Sequence, residues 1–289
     1  MKKIGKYTLR QIYWFLEAGR PRRKTGELEL VLEKQADIPP PVFFLSTGRT
    51  GTKWFATLLE QEKKFIVFHQ AVPLLALQNK FMYELQHNAA VDRELVMRTG
   101  SEIFWAARVE YFMQSYKTGK TFLETNNELV FFAEVIARLF PRSKFVHLYR
   151  HPGDFVRSAI IRGWYENERS KKKLIIPHGV SGWNELSLIE KNAYLWLEVN
   201  TFIDQVKKSV GEDRFFTLNF SRLELDRVKD LVEFTGATIP ASKIKKLMGK
   251  KINKAKANTF PVYEAWPEED KEKLRRICGR LAAEYGFKL

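Results

Sequence analysis

The chain has 289 residues, enough for one large domain or two small ones, and its hydrophobic (45%) and charged (29%) fractions are those of a soluble globular protein. No run of about 18 apolar residues is present to span a bilayer, and Met1-Lys-Lys-Ile-Gly-Lys-Tyr7 lacks the apolar core of a secretory signal, so a cytoplasmic location is expected. The formal charge of +15 calls for an anionic partner: nucleic acid, an anionic membrane or an anionic small substrate.

Residues 1–39 read as a basic extension. Within it Ile12, Tyr13, Trp14, Phe15 and Leu16 precede Arg20, Arg22, Arg23 and Lys24. Such a basic aromatic helix could lie peripherally on an anionic membrane or dock on the core. The apolar run 42–45 then predicts a buried strand of a parallel sheet. It passes into Ser46-Thr47-Gly48-Arg49-Thr50-Gly51-Thr52-Lys53 and a helical stretch over 54–60. A strand, a glycine turn and a helix N-terminus make an anion site, because backbone N–H groups converge where the helix dipole is positive. Arg49, Thr50, Thr52 and Lys53 add cationic and hydroxyl donors. This is not a Walker A loop: five residues beyond Gly48 stands Lys53 rather than glycine, and Trp54 follows Lys53 where a Mg²⁺-binding Ser or Thr is needed. An anionic donor bound without an obligatory metal is favoured over ATP or GTP.

Further strands are predicted at Phe65–His69, Thr121–Thr125, Lys144–Tyr149 and Phe215–Asn219, and helices over 74–86, 92–117, 129–140, 186–208, 223–234 and 268–285. Residues 166–185 mix charges, Gly and Pro and read as the mobile loop. Alternating strands and helices without a Pro/Gly/Ser-rich linker or internal repeat predict one α/β domain with a parallel sheet. After Tyr149 the chain reads Arg150-His151-Pro152-Gly153-Asp154-Phe155-Val156-Arg157-Ser158. Pro152 suits the first turn of a helix and Asp154 complements its N-terminus. Arg150 therefore sits at the carboxyl end of a strand, where open α/β sheets bind ligands, and Ser158 lies on the following helix. An Arg fork and a Ser hydroxyl there would make a second contact with one bisanionic ligand.

Together the two segments resemble the sulfotransferases that use 3′-phosphoadenosine 5′-phosphosulfate (PAPS). Residues 49–54 look like their 5′-phosphosulfate loop and 150–158 like their 3′-phosphate motif, in matching order, within a resemblance that covers about residues 40–236. The resemblance implies a three-layer α/β/α fold with a central parallel sheet, related to the P-loop nucleotide kinases. It divides the single domain 1–289 into the extension 1–39, the core 40–236 and carboxy-terminal cap helices over 237–289. It implies PAPS as donor, adenosine 3′,5′-bisphosphate (PAP) as product, and no required metal. Cofactor contacts would come from Arg49, Thr50, Gly51, Thr52, Lys53, Trp54, Arg150 and Ser158, with the Trp54 ring flanking adenine and Arg49 contacting the transferring group. Many members carry Thr or Ser where this chain has Lys53. The lysine-rich segment 250–258 stands where the family has a basic loop over the 3′-phosphate, without that loop's Arg-Lys-Gly signature.

Sulfuryl transfer is an in-line displacement that needs a base for the acceptor hydroxyl and cations at the leaving phosphate. Two candidates compete for the base. His69 ends the second strand about where the family places a catalytic His or Glu, with a suitable intrinsic pKa. Glu124, at the end of the third strand, would also point into the cleft. His69 is preferred, with Asn126 orienting the base or the acceptor. His147, His151 and the single Cys278 read as structural. Aromatic residues Trp105, Tyr111, Phe112, Trp164, Tyr165 and Trp183 are core or line a pocket, so the acceptor is left open between a glycolipid, a carbohydrate and a small alcohol. Nucleic acid is set aside because no reader fold accompanies the charge. Two other functions remain open: a small-molecule kinase on the same sheet, and a non-catalytic nucleotide-binding protein at a membrane surface. Oligomeric state is silent in the sequence.

Overall fold

The strand at Val42–Ser46 (β1) is buried at every position, because it has a helical layer on each face. Phe43 and Leu45 point into one apolar cluster and Val42 and Phe44 into the other. That is the side-chain alternation of a strand buried on both sides, and it explains the unbroken apolar run. The computed structural model describes residues 3–4, 7–8, 33–249 and 260–289. Most of the basic extension, with its aromatic stretch 12–16, and the lysine-rich segment 250–258 lie outside the described residues.

Four more strands join β1: Phe65–His69 (β2), Thr121–Thr125 (β3), Lys144–Tyr149 (β4) and Phe215–Asn219 (β5). They form one all-parallel sheet of order β2-β3-β1-β4-β5. The helices are Thr52–Leu59 (α1), Ala76–Gln86 (α2), Arg93–Thr118 (α3), Ala133–Leu139 (α4), Pro152–Ile160 (α5), Leu188–Val210 (α6), Leu225–Phe234 (α7), Ala241–Met248 (α8) and Glu268–Glu284 (α9). Residues of α1, α7 and α8 enclose Val42 and Phe44, while α2–α6 and α9 enclose Phe43 and Leu45. The result is a three-layer α/β/α arrangement. From β1 the chain moves first to β2 and β3 on one side and then to β4 on the other. A crevice therefore opens at the carboxyl end of β1, the topological switch point where such sheets place ligands.

Three elements differ from the sequence reading. The predicted helix over 129–140 begins instead as a 3-10 segment, Asn127–Phe132, with a kink at Glu128 (φ −84°, ψ 16°). The Asn126 side chain accepts from the Glu128 N–H and draws the chain into that tighter turn. Helix α8 falls within the cap-helix span 237–289 implied by the resemblance, but the residue pattern gave it no bounds, since its lysines obscure the apolar positions Ile244 and Leu247 that bury it. Residues 166–185, expected as a mobile loop, contain a helical turn at Glu168–Lys171 capped by Asn167. They are tied back where the Tyr165 hydroxyl donates to the Ile175 carbonyl (2.6 Å) and the His178 N–H donates to the Tyr83 hydroxyl (2.8 Å).

Candidate active site

The loop between β1 and α1 is built to leave amides unused. Gly48, Arg49 and Gly51 all have positive φ (79°, 60° and 78°). A Cβ on Gly51 would fall 2.0 Å from the Phe220 ring, so only glycine fits both the left-handed backbone and the contact. Gly51 is also the N-cap of α1, which has no side-chain cap and no acidic residue in its first turn. By contrast α3 is capped by Asp92 and α6 by a Ser187–Glu190 capping box. The positive end of α1 is thus left for an external anion. Within the loop, the Thr50 hydroxyl oxygen is buried without a hydrogen-bond partner.

The second motif folds onto this loop. Arg49 Nε donates to Ser158 Oγ at 3.0 Å, and Arg150 Nη1 donates to the Arg49 carbonyl at 3.2 Å. Arg150 pairs with Asp154 at 3.4 Å, across the first turn of α5. Burial, then the charges of Arg162 and Arg150, lower the Arg49 pKa to about 10. It remains protonated at neutral pH. Of these three guanidinium groups only that of Arg150 pairs with a carboxylate among the described residues, so the cluster carries net positive charge.

Across the crevice, β2 and β3 bring His69 opposite Thr125. His69 Nδ1 pairs with Thr125 Oγ1 at 3.0 Å, leaving Nε2 as the nitrogen free to take a proton. Burial lowers the His69 pKa, opposed by hydrogen bonding to Thr125, assisted by the Lys53 charge and opposed again by Glu124. Glu124 has a different part. It is wholly buried, and both its oxygens meet Arg108, at 2.8 Å (Nε to Oε2) and 2.9 Å (Nη2 to Oε1). Oε1 also accepts from the Ala71 N–H (3.2 Å) and from Asn126 Nδ2 (2.9 Å). The expectation that Glu124 points into the cleft as a base therefore fails on geometry: its acceptor positions are occupied inside the protein. Arg108 further donates to the carbonyls of Pro73 (2.9 Å) and Ala71 (3.4 Å), so the pair fastens the turn that follows His69.

A sulfotransferase-family model matches residues 40–238, more than half of the chain. The chain belongs to the sulfotransferase family. Among solved structures, this sulfotransferase is similar to the sulfotransferase domain from the curacin biosynthetic pathway, at 15% identity and TM-score 0.51, covering 87% of this chain and 99% of that one. It is also similar to the sulfotransferase STF9 from Mycobacterium avium, at 12% identity and TM-score 0.50, covering 91% of this chain and 82% of the other. At such identities the likeness concerns the fold. A search of curated protein sequences finds no match.

Other residues singled out from the sequence fall as follows. Trp54 is 5% exposed, packs edge-on to Phe55 and donates its indole N–H to the Leu247 carbonyl at 3.3 Å. It joins α1 to α8, and its near-complete burial speaks against the adenine-flanking role. Thr52 is buried, whereas Lys53 is exposed. His147 is buried against Asn200 (2.9 Å), and His151 packs on Tyr263 and Phe287. Burial raises the thiol pKa of Cys278. Among the described residues no cluster could hold a metal ion.

Sequence reasoning missed Arg108, Asn127, Glu128 and Arg162. A Cβ on Gly48 would lie 3.2 Å from Asn127 Cγ and 3.3 Å from Trp164 Cη2, so these two side chains border the loop. Asn127 also accepts from Gln70 Nε2 at 3.4 Å, linking the turns after β1, β2 and β3. Burial pushes the Glu128 carboxyl up to about 7, against the Lys173 charge and a hydrogen bond with Asn127. The spacing after Thr125 held the only signal: Asn126-Asn127-Glu128 directly follows a strand's carboxyl end. Arg49, Gln70 and Tyr165 all have positive φ although none is glycine, and each adjoins this crevice in sequence or space. Backbone strain of that kind gathers at functional sites.

Proposed function

We propose that this sulfotransferase moves a sulfonate group from PAPS to a hydroxyl of a small alcohol, carbohydrate or lipid and releases PAP. The hydrogen bond from Arg49 to Ser158 carries the reading, because it joins the 5′-side loop to the 3′-side motif around an under-neutralised cationic centre. The unpartnered Thr50 hydroxyl and the uncapped start of α1 fit a phosphate group. The Thr52 and Lys53 amides would hold the 5′-phosphate, and Arg150 with Ser158 the 3′-phosphate. The donor supplies a sulfur atom bound to a phosphate leaving group.

The chain's own residues do the rest. His69 Nε2 takes the acceptor's hydroxyl proton while that oxygen bonds to sulfur. The bond from sulfur to the 5′-phosphate oxygen breaks, and its electron pair leaves on the phosphate. Arg49 opposes the charge that gathers there. Thr125 and the Arg108–Glu124 pair keep the imidazole in place. Asn127 and Trp164 border the acceptor side. We read residues 1–289 as one catalytic domain acting in the cytoplasm, with the basic extension contacting an anionic membrane surface. Among the described residues no helix is long and apolar enough to cross a membrane.

Calorimetric titration with PAP and with ATP–Mg²⁺ tests the donor. PAP should bind and ATP–Mg²⁺ should not; preference for ATP–Mg²⁺ would favour the kinase. Transfer of labelled sulfate from PAPS to a hydroxyl panel, with Arg49→Ala and His69→Ala as controls, tests the reaction. Tight PAP binding without any transfer would favour the non-catalytic alternative.

A further inference from the structure

The turn after β5 touches both anion-binding segments. The ladder between β4 and β5 ends with Tyr149 opposite Asn219, and the Phe220 N–H carries it one bond further, donating to the Tyr149 carbonyl at 2.8 Å. Asn219 then bends the chain. Its side-chain oxygen accepts from the Ser221 N–H (2.9 Å) and its carbonyl from the Arg222 N–H (3.3 Å). Past this bend, the Ser221 hydroxyl oxygen accepts from the N–H of His151, the N-cap of α5, at 3.0 Å. The Phe220 ring lies on Gly51, the N-cap of α1, so closely that three of its carbons fall 2.0, 2.2 and 2.6 Å from where a Cβ would stand. Two consecutive residues thus reach the starts of both helices that face the crevice.

These contacts differ in kind from the other bridges between the two segments. The Arg49–Ser158 and Arg150–Arg49 hydrogen bonds use guanidinium and hydroxyl groups that the PAPS reading gives to the ligand. Such bonds exchange when phosphates arrive, so they do not by themselves fix a spacing. Phe220 and Ser221 hold backbone instead, the Cα of Gly51 and the amide of His151. From α6 the wholly buried Trp196 adds to the grip, donating its indole N–H to the Arg150 carbonyl at 2.9 Å. The backbone of residues 149–151 is therefore held at three successive positions. A nucleotide with a phosphate at each end gains from both sites only if they stand at its own span. The second phosphate then binds at high effective concentration.

We propose that Phe220 and Ser221 are positioning residues that set the distance between the 5′- and 3′-phosphate sites. This rests on the PAPS reading above.

The test compares PAP with adenosine 5′-monophosphate and adenosine 3′-monophosphate. Each is read by displacement of radiolabelled PAP from wild type, Phe220→Leu and Ser221→Ala. Phe220→Leu keeps apolar bulk beside Phe55 but removes the flat ring from Gly51. Ser221 is exposed, so water replaces its hydroxyl, and Ser221→Ala should melt within about 2 °C of wild type. Each monophosphate engages one helix start and tolerates a changed spacing, whereas PAP needs both. Both variants should therefore weaken PAP by about tenfold and each monophosphate by less than about twofold. Equal weakening of all three ligands would place these side chains against the adenosine they share and overturn the proposal. Equal weakening of PAP and one monophosphate would confine the residue to that single site and overturn it too. Unchanged affinities would make the turn incidental, with the same consequence. Wild type that fails to bind PAP would sink the PAPS reading itself, a distinct failure.

Discussion

Arg108 is wholly buried, and its guanidinium meets Glu124 twice along with three backbone carbonyls. Arg49 is also partly withdrawn from water, yet its guanidinium meets only a serine hydroxyl and feels the charges of two more arginines. Both clusters serve the crevice at the carboxyl ends of the strands, and they differ in charge closure. The first is complete within the protein, so it can only position: it fixes the turn that carries His69. The second keeps net positive charge, which an anionic ligand would offset. A paired arginine is structural and an under-paired one is available for binding. That contrast, more than the count of basic residues, separates scaffold from site.

Removing one partner of the closed cluster should give the largest effect. Arg108→Ala or Glu124→Ala strands a buried charge and is expected to cost about 3–5 kcal/mol of stability. In a chain of this size each kcal/mol lowers the melting temperature by about 2–4 °C, which thermal unfolding would show directly. A Glu124→Ala protein with unchanged melting temperature and no turnover would break the comparison and restore Glu124 as the base.

Opening the second cluster should instead spare the fold. Arg49→Ala is expected to reduce kcat by about 10²–10³, the scale of losing one group that stabilises transition-state charge. Its circular dichroism and melting temperature should match wild type. Loss of folding together with activity would mean that Arg49 is as structural as Arg108.

The pH profile sharpens the assignment of the base. A base works when neutral, so activity falls as pH drops through its pKa. Because burial lowers the His69 pKa, kcat/KM should keep rising with pH only below the ordinary imidazole value, then level off. An acid limb centred near 7 that vanishes in Glu128→Gln would move the role to Glu128, whose carboxyl is pushed up to about 7.

The smallest effect concerns Trp54. Trp54→Phe removes the hydrogen bond to Leu247 and should cost about 1 kcal/mol of stability. PAP affinity should change by less than about twofold, because the ring packs inside the protein. A loss of the 1–3 kcal/mol typical of a stacked base (about 5-fold or more) would show that the indole reaches adenine after all.

The architecture was legible because its signals are local. Four strands stand at their predicted bounds and the fifth, β1, extends one residue further to Ser46, since apolar runs closed by glycine or a charged turn mark buried parallel strands. The two anion-binding segments were legible for the same reason: Gly48, Gly51 and Pro152 announce their backbone shapes. What could not be read was pairing over distance. Arg108 sits mid-helix, sixteen positions before Glu124, in a pattern that suits an exposed arginine equally well. Likewise α8 hid among lysines, and Arg162 looked like one more member of a basic chain.

By itself, then, the order of residues determined the parallel sheet, the glycine loop and the cationic turn after β4, because backbone preference and burial period act within a few positions. Only the tertiary structure decided which charges cancel. Glu124 was consumed by Arg108, His69 was left with one free nitrogen, and Arg49 was brought against Ser158. Coulomb energy depends on separation in space and on access to water, and neither is written along the chain.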